Sequence, residues 1–147
     1  MQRLFGCLLA LAVIFSTGCA NRATATVAPG SDLNQTQQFY VVKLAPDGRG
    51  IHELIAARLN TMGYRARAGV STEPPEGTDV VVTYKDKWMW DITMYMIELT
   101  ITMRDPKTDF PLASGNSMHT SLTRKSPEEM VEEVLKNIFA KQTTAAR

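Results

Sequence analysis

Thr78–Arg104, TDVVVTYKDKWMWDITMYMIELTITMR, is the stretch on which the reading of the whole chain turns. No Gly or Pro interrupts it, and it is dense in β-branched, aromatic and Met residues. From Tyr95 onward it alternates. Tyr95, Ile97, Leu99, Ile101 and Met103 fall on one side; Glu98, Thr100, Thr102 and Arg104 fall on the other. Period two with one apolar side predicts a half-buried strand. The run is too long for one strand of ordinary length, so two are expected. Asp86-Lys87 and Trp90-Asp91 are both suitable turns, because Asp favours turns.

Downstream, Asp105-Pro106-Lys107-Thr108-Asp109 is a clear turn signal. Phe110–Ser121 returns as a last strand, with a bulge expected at Gly115. Ser126, Pro127 and Glu129 then spell a helix start, as N-cap, first-turn Pro and the far half of a capping box. Met130, Val131, Val134, Leu135, Ile138 and Phe139 form its apolar stripe, and fraying is expected from Gln142.

Upstream, Gln38–Leu44 reads as a strand closed by the turn residues Ala45-Pro46-Asp47-Gly48. Arg49–Met62 is helical. Ile51, Leu54, Ile55, Leu59 and Met62 lie at helical spacing with Arg58 as the polar member, and Gly63 follows as a stop. Tyr64–Val70 is a second strand, placed at an edge by the shared side of Arg65 and Arg67. The order β-α-β-β-β-β-α predicts an α+β two-layer sandwich. About five mostly antiparallel strands carry two helices on one face. Its β-α-β start implies one parallel crossover.

Hydrophobic residues make up 44 % of the chain, enough for an ordinary globular core. Lys plus Arg number 16 against 15 Asp plus Glu, so charge gives no case for nucleic acid as a partner. Both cysteines, Cys7 and Cys19, precede the domain, which therefore has no thiol for a disulfide, a metal or a nucleophile.

The segment MQRLFGCLLALAVIFSTGC has a positive start at Arg3, a short apolar core and small residues before Cys19. That is the build of a secretory signal peptide, too short for a permanent span. Gly18-Cys19 just after the apolar core resembles the lipobox of bacterial lipoproteins. The resemblance implies acylation of Cys19, removal of residues 1–18, and anchoring in a membrane by more than one chain. Ala20, where Asp would favour the inner membrane, implies the outer membrane, facing the periplasm. Residues 19–37 are small and polar and read as a lipidated flexible tether, 38–142 as the domain and 143–147 as a frayed tail.

The domain resembles the small α/β domains of envelope lipoproteins, of the curli-export lipoprotein CsgG and the TolB N-terminal type. It also resembles envelope lipoproteins carrying a run like YxDxWxWD, a DPKT turn and SLxRKSPEEMV. Here these are Tyr84–Asp91, Asp105–Thr108 and Ser121–Val131. The resemblance implies a fold and no activity.

Four constellations could carry function. With unbroken alternation, Trp88, Trp90, Met94 and Met96 share the polar side of the sheet, away from the helices, with Asp91 beside them. That would be an exposed aromatic patch of the kind partners use. A bulge near Trp90 would instead bury the indoles. Met89, Met94 and Met96 offer soft thioethers for Cu(I), although Met equally fills core gaps. His119, among Ser117, Thr120 and Ser121, could serve a hydrolase if an acid partner stood near it. His52, beside Glu53, reads as solvated. Lys85, Asp86, Lys87 and Asp91 around the tryptophans suit a glycan or peptide surface, or are plain solvated charge. The reading favoured is a non-enzymatic, lipid-anchored envelope protein that needs no cofactor and binds another envelope component through the aromatic hairpin. A small-ligand or glycan module is the alternative, and a hydrolase using His119 is the less favoured one.

Overall fold

The computed structural model describes residues 21–145, so Cys19 and the segment read as signal peptide lie outside the described residues. Six strands form one sheet: β1 (Arg22–Val27), β2 (Gln38–Val42), β3 (Arg65–Gly69), β4 (Val80–Asp91), β5 (Thr93–Arg104) and β6 (Pro111–Met118). Two helices, α1 (Ile51–Thr61) and α2 (Pro127–Ala145), complete the domain. The sheet order is β1-β6-β5-β4-β2-β3. Strand β2 runs parallel to both β3 and β4, and every other pair is antiparallel. The expected two-layer α+β sandwich is the observed fold, with a sixth strand. Edge strand β3 sits where its two arginines placed it.

Register explains the core. Phe39 and Val41 of β2 stand beside Val80 and Val82 of β4, and Val82 and Tyr84 face Met103 and Ile101 of β5. These side chains are buried with Ile51, Ile55 and Leu59 of α1 and with Met130, Val134, Leu135 and Ile138 of α2. Both helices therefore lie on one face of the sheet. Arg58, the polar member of the α1 stripe, bridges the helices through Glu132 at 3.0 Å.

The sixth strand corrects the reading of 19–37 as a tether. From Arg22 to Val27 the chain pairs along the free edge of β6. Asp32 then caps a 3-10 turn at Leu33–Gln35, and Leu33 is fully buried. RATATV has no large apolar residue until Val27 because β1 needs none. Backbone hydrogen bonds to β6 hold it, and Ala25 and Val27 suffice to pack on the core. The other end of the chain is tied to this segment. Gln142, expected to fray, is buried, and its Nε2 donates to Ser31 O at 3.0 Å.

Gly115 also has a different role from the one expected. It sits in regular register opposite Ile101, without a bulge. A Cβ there would stand 2.9 Å from Cγ1 of both Val134 and Ile138, so glycine lets α2 approach the sheet.

The start of α2 follows its sequence. Glu129 N–H donates to Ser126 Oγ at 3.2 Å, and Ser126 N–H donates to Glu129 Oε2 at 2.8 Å, the reciprocal pair of a capping box. Ser126→Ala should cost on the order of 1 kcal/mol. A lowered urea midpoint with an unchanged slope is the expected readout.

Candidate functional site

Strands β4 and β5 outrun the sheet. Strand β2 pairs with β4 only as far as Val82, and β6 pairs with β5 only from Glu98. Beyond those points the two strands continue to Asp91↔Thr93 as a two-stranded ribbon. The turn site is Trp90-Asp91 rather than Asp86-Lys87, with Ile92 at the tip.

The ribbon does contain a bulge, but on β5 rather than near Trp90. Lys87 faces Glu98, but Trp88 faces Met96, so Ile97 is left unpaired on β5. Its carbonyl instead accepts the His119 N–H at 2.9 Å, where β6 ends. The extra residue resets the alternation. Met96 takes the core position that strict alternation gave to Ile97, and is 1 % exposed. Tyr95 turns to the other face, where the Arg124 guanidinium lies 4.2 Å from its ring centre.

The expectation that Trp88, Trp90, Met94 and Met96 face away from the helices is therefore corrected. Register puts all four on the helix side, as the pairs Trp88↔Met96 and Trp90↔Met94. The inner pair belongs to the fold. Trp88 packs against the core under the Arg49 guanidinium, 4.0 Å from its ring, and its Nε1 donates to Asp86. The outer pair is uncovered: Trp90 is 69 % exposed and Met94 46 %. Met89 on the other face and Ile92 at the tip are also exposed, giving four large apolar side chains around one turn. Of the expected patch, Trp90 and Met94 remain. Met89 and Ile92 join them, while Trp88 and Met96 brace the ribbon from within.

Ile92 has φ +58°, a left-handed conformation that a β-branched residue adopts only under constraint. Arg124 supplies part of it. Its guanidinium donates to Asp91 Oδ2 at 3.0 Å and to Thr93 Oγ1 at 2.8 Å, gripping both sides of the turn. Asp91 is thus a clamp residue. Lys87 pairs with Glu98 on the opposite strand, Asp86 holds the Trp88 indole, and Lys85 is exposed.

The copper reading fails on geometry. Met89 points to one face of the ribbon, Met94 and Met96 to the other, and Met96 is buried. Soft ligands on opposite faces cannot converge on one ion.

His119 does have an acid beside it. Its Nε2 lies 2.7 Å from Glu133 Oε2, and the same carboxylate accepts from Ser117 Oγ and from Lys125 Nζ at 2.6 Å. Burial pushes the Glu133 carboxyl up. The hydrogen bonds from Lys125, Ser117 and His119 outweigh it and hold the group at about 2. The carboxylate sits between serine and histidine, where nucleophilic activation requires the imidazole between serine and acid. Ser117 is also fully buried. The cluster joins β6 to α2.

A second cluster carried no signal beyond a turn. Asp47 is buried and accepts from Tyr84 Oη at 2.6 Å, from the Arg49 N–H at 2.8 Å and from the His52 N–H at 3.3 Å. His52 Nδ1 stands 3.1 Å from it, so this histidine is buried against Asp47 rather than solvated. Burial raises the Asp47 carboxyl, but those donors outweigh it and hold it at about 2. Burial, with the bond to Asp47, pushes the Tyr84 phenol far up. Tyr84 Oη in turn accepts the Leu44 N–H at 3.0 Å. The network pins the start of α1 to the middle of β4. Beside it a groove of about 450 Å³ runs past Leu44, Val70, Thr72 and Thr83, and neither tryptophan lines it.

No family model matches the chain, and no curated protein matches it. Solved structures share its fold. The PelC dodecamer from Paraburkholderia phytofirmans superposes with a TM-score of 0.62 at 14 % identity, covering 80 % of this chain and 97 % of that one. TolB from Acinetobacter baumannii gives 0.51 at 17 % identity, over 84 % of this chain and 32 % of that one. A PDZ domain protein from Parabacteroides distasonis gives 0.51 at 13 %, over 92 % and 39 %. At such identities the likeness is one of fold.

Proposed function

We propose that this is a non-enzymatic protein of the cell envelope, anchored through acylated Cys19 in the outer membrane and facing the periplasm, which docks on another envelope component by the tip of the β4–β5 ribbon. One observation carries the docking reading. A two-stranded ribbon, clamped by Arg124 and braced by Trp88 and Met96, holds Met89, Trp90, Ile92 and Met94 in solvent around a strained turn. Exposed apolar side chains grouped this way favour a binding role, and strain stored at a turn is characteristic of functional sites. The anchor rests on the likeness of Gly18-Cys19 to a lipobox. The carboxylates of both clusters, Asp47 and Glu133, are satisfied by groups of the fold itself, which favours a structural part for each.

The test is a photo-crosslinking amino acid placed at Ile92 of the lipidated chain in cells, with Phe110, also exposed but at the far end of the sheet, as comparison. A discrete adduct is expected from Ile92 alone. It should be lost in the Cys19→Ser chain, which should leave the membrane fraction and take up no fatty-acid label. Equal labelling at both sites, or none at Ile92, refutes docking by the tip.

A further inference from the structure

We infer that the component met by the ribbon tip is the lipid surface that holds the anchor, so that Met89, Trp90, Ile92 and Met94 seat in the headgroup boundary beside acylated Cys19. The inference rests on the docking reading and on the anchor at Cys19. Topology brings the two together. Arg22, the first residue of β1, is level with Met118 of β6 and Glu98 of β5. From that row β1 runs away from the ribbon tip, so the chain ahead of Arg22 leaves the sheet on the tip side. Asn21 confirms the direction: its Oδ1 accepts from Thr123 Oγ1 at 2.6 Å, and the next residue, Arg124, grips Asp91 and Thr93.

The reach agrees. Cys19 is two residues before Asn21, or at most about 7 Å of chain. The tip lies some four paired residues beyond the Glu98 row, about 13 Å at the rise of a strand. Even fully extended, about 10 Å beyond the Glu98 row, Cys19 stops a few ångströms short of the tip, so an acylated Cys19 at the membrane surface brings the tip into the headgroup boundary.

The distribution of exposed apolar residues points the same way. Seven large ones are exposed among the described residues: Met89, Trp90, Ile92, Met94, Leu122, Val70 and Phe110. The first five lie at this end. Leu122, 92 % exposed, sits in the 3-10 turn Ser121–Thr123 next to Asn21. Phe110 is at the opposite end, and Val70 follows β3 at the other edge.

The composition suits an interface rather than a bilayer core. Tryptophan favours the headgroup level. A two-stranded ribbon has unpaired backbone groups on both edges and cannot enter hydrocarbon without leaving them unsatisfied. The Asp91–Arg124 pair, one residue behind the tip, sets the same limit. Such a tip binds weakly alone, but the anchor makes its contact intramolecular and raises its effective concentration.

The test uses the lipidated protein reconstituted in phosphatidylethanolamine–phosphatidylglycerol vesicles with brominated acyl chains. Trp90 emission should fall at least twofold, more with shallow bromines than with deep ones. Trp90→Phe should remove the quenched component and leave the Trp88 emission. No quenching, or the same quenching in Trp90→Phe, overturns the inference. If Ile92 then crosslinks a protein or a second copy of the chain, docking stands and the lipid assignment alone falls. If Ile92 yields no adduct either, both fall.

Discussion

Between pH 5 and pH 2 the domain should lose on the order of 5 kcal/mol of stability, enough to unfold much of it. The two carboxylates at the centres of the buried networks are the cause. Asp47 goes from an ordinary 3.8 to about 2, and Glu133 from 4.5 to about 2. In the unfolded chain both take up protons at the higher value. Protonation on acidification therefore favours unfolding. The stability is fully present above the unfolded values and is lost as pH falls toward about 2. At about 1.4 kcal/mol per pKa unit, Asp47 contributes about 2 kcal/mol and Glu133 about 3. Glu98 and Asp79, also lowered by their hydrogen-bond donors, act in the same direction. Urea midpoints by circular dichroism at pH 6, 4 and 2.5 would show it. A midpoint constant down to pH 3 would mean that neither carboxylate is held as described.

Asp47→Ala should cost at least about 3 kcal/mol at neutral pH, more than Ser126→Ala by a clear margin. Removing the carboxylate strands the Tyr84 hydroxyl and the Arg49 and His52 N–H groups, and a buried donor without an acceptor costs about 1–3 kcal/mol. Asp47→Asn keeps one acceptor oxygen and should recover part of the loss, while removing this residue's share of the acid sensitivity. That second effect separates the network from mere packing. If Asp47→Ala melts with the parent protein, the network is not holding α1 on β4.

Much of the fold could be read from the sequence because its signals are local. The Ser126–Glu129 cap, the apolar stripes of both helices and the Asp105–Asp109 turn each state their structure within a few residues. What could not be read has distant causes. Strand β1 forms because β6 offers a free edge some ninety residues later in the chain, and nothing in RATATV requires it. The bulge at Ile97 exists because the end of β6 brings the His119 N–H to its carbonyl. That single residue sets the parity of Met94 and Met96 against Leu99, Ile101 and Met103, while Trp88 and Trp90 simply follow the alternation of Val80, Val82 and Tyr84 along β4, so parity counted back from Arg104 misplaced all four. The ribbon and its apolar character were legible; its division into an inner bracing pair and an outer exposed pair was not. Asp47 was read as part of a turn because its partners Tyr84 and His52 meet it only through the packing of α1 on β4. Glu133 is likewise invisible as the partner of His119 until α2 lies on β6.

The placement of β1 also fixes how the domain bears load. A pull from the chain ahead of Asn21 acts along the axis of β1, whose bonds to β6 run across that axis from Arg22↔Met118 to Val27↔Ala113. Force in that geometry shears the whole ladder at once instead of unzipping it bond by bond. Directly behind the ladder, the Ala28 N–H bonds to Leu112 O, and Leu33 is locked in the core. The strand read as slack is the part of the molecule best placed to resist extraction.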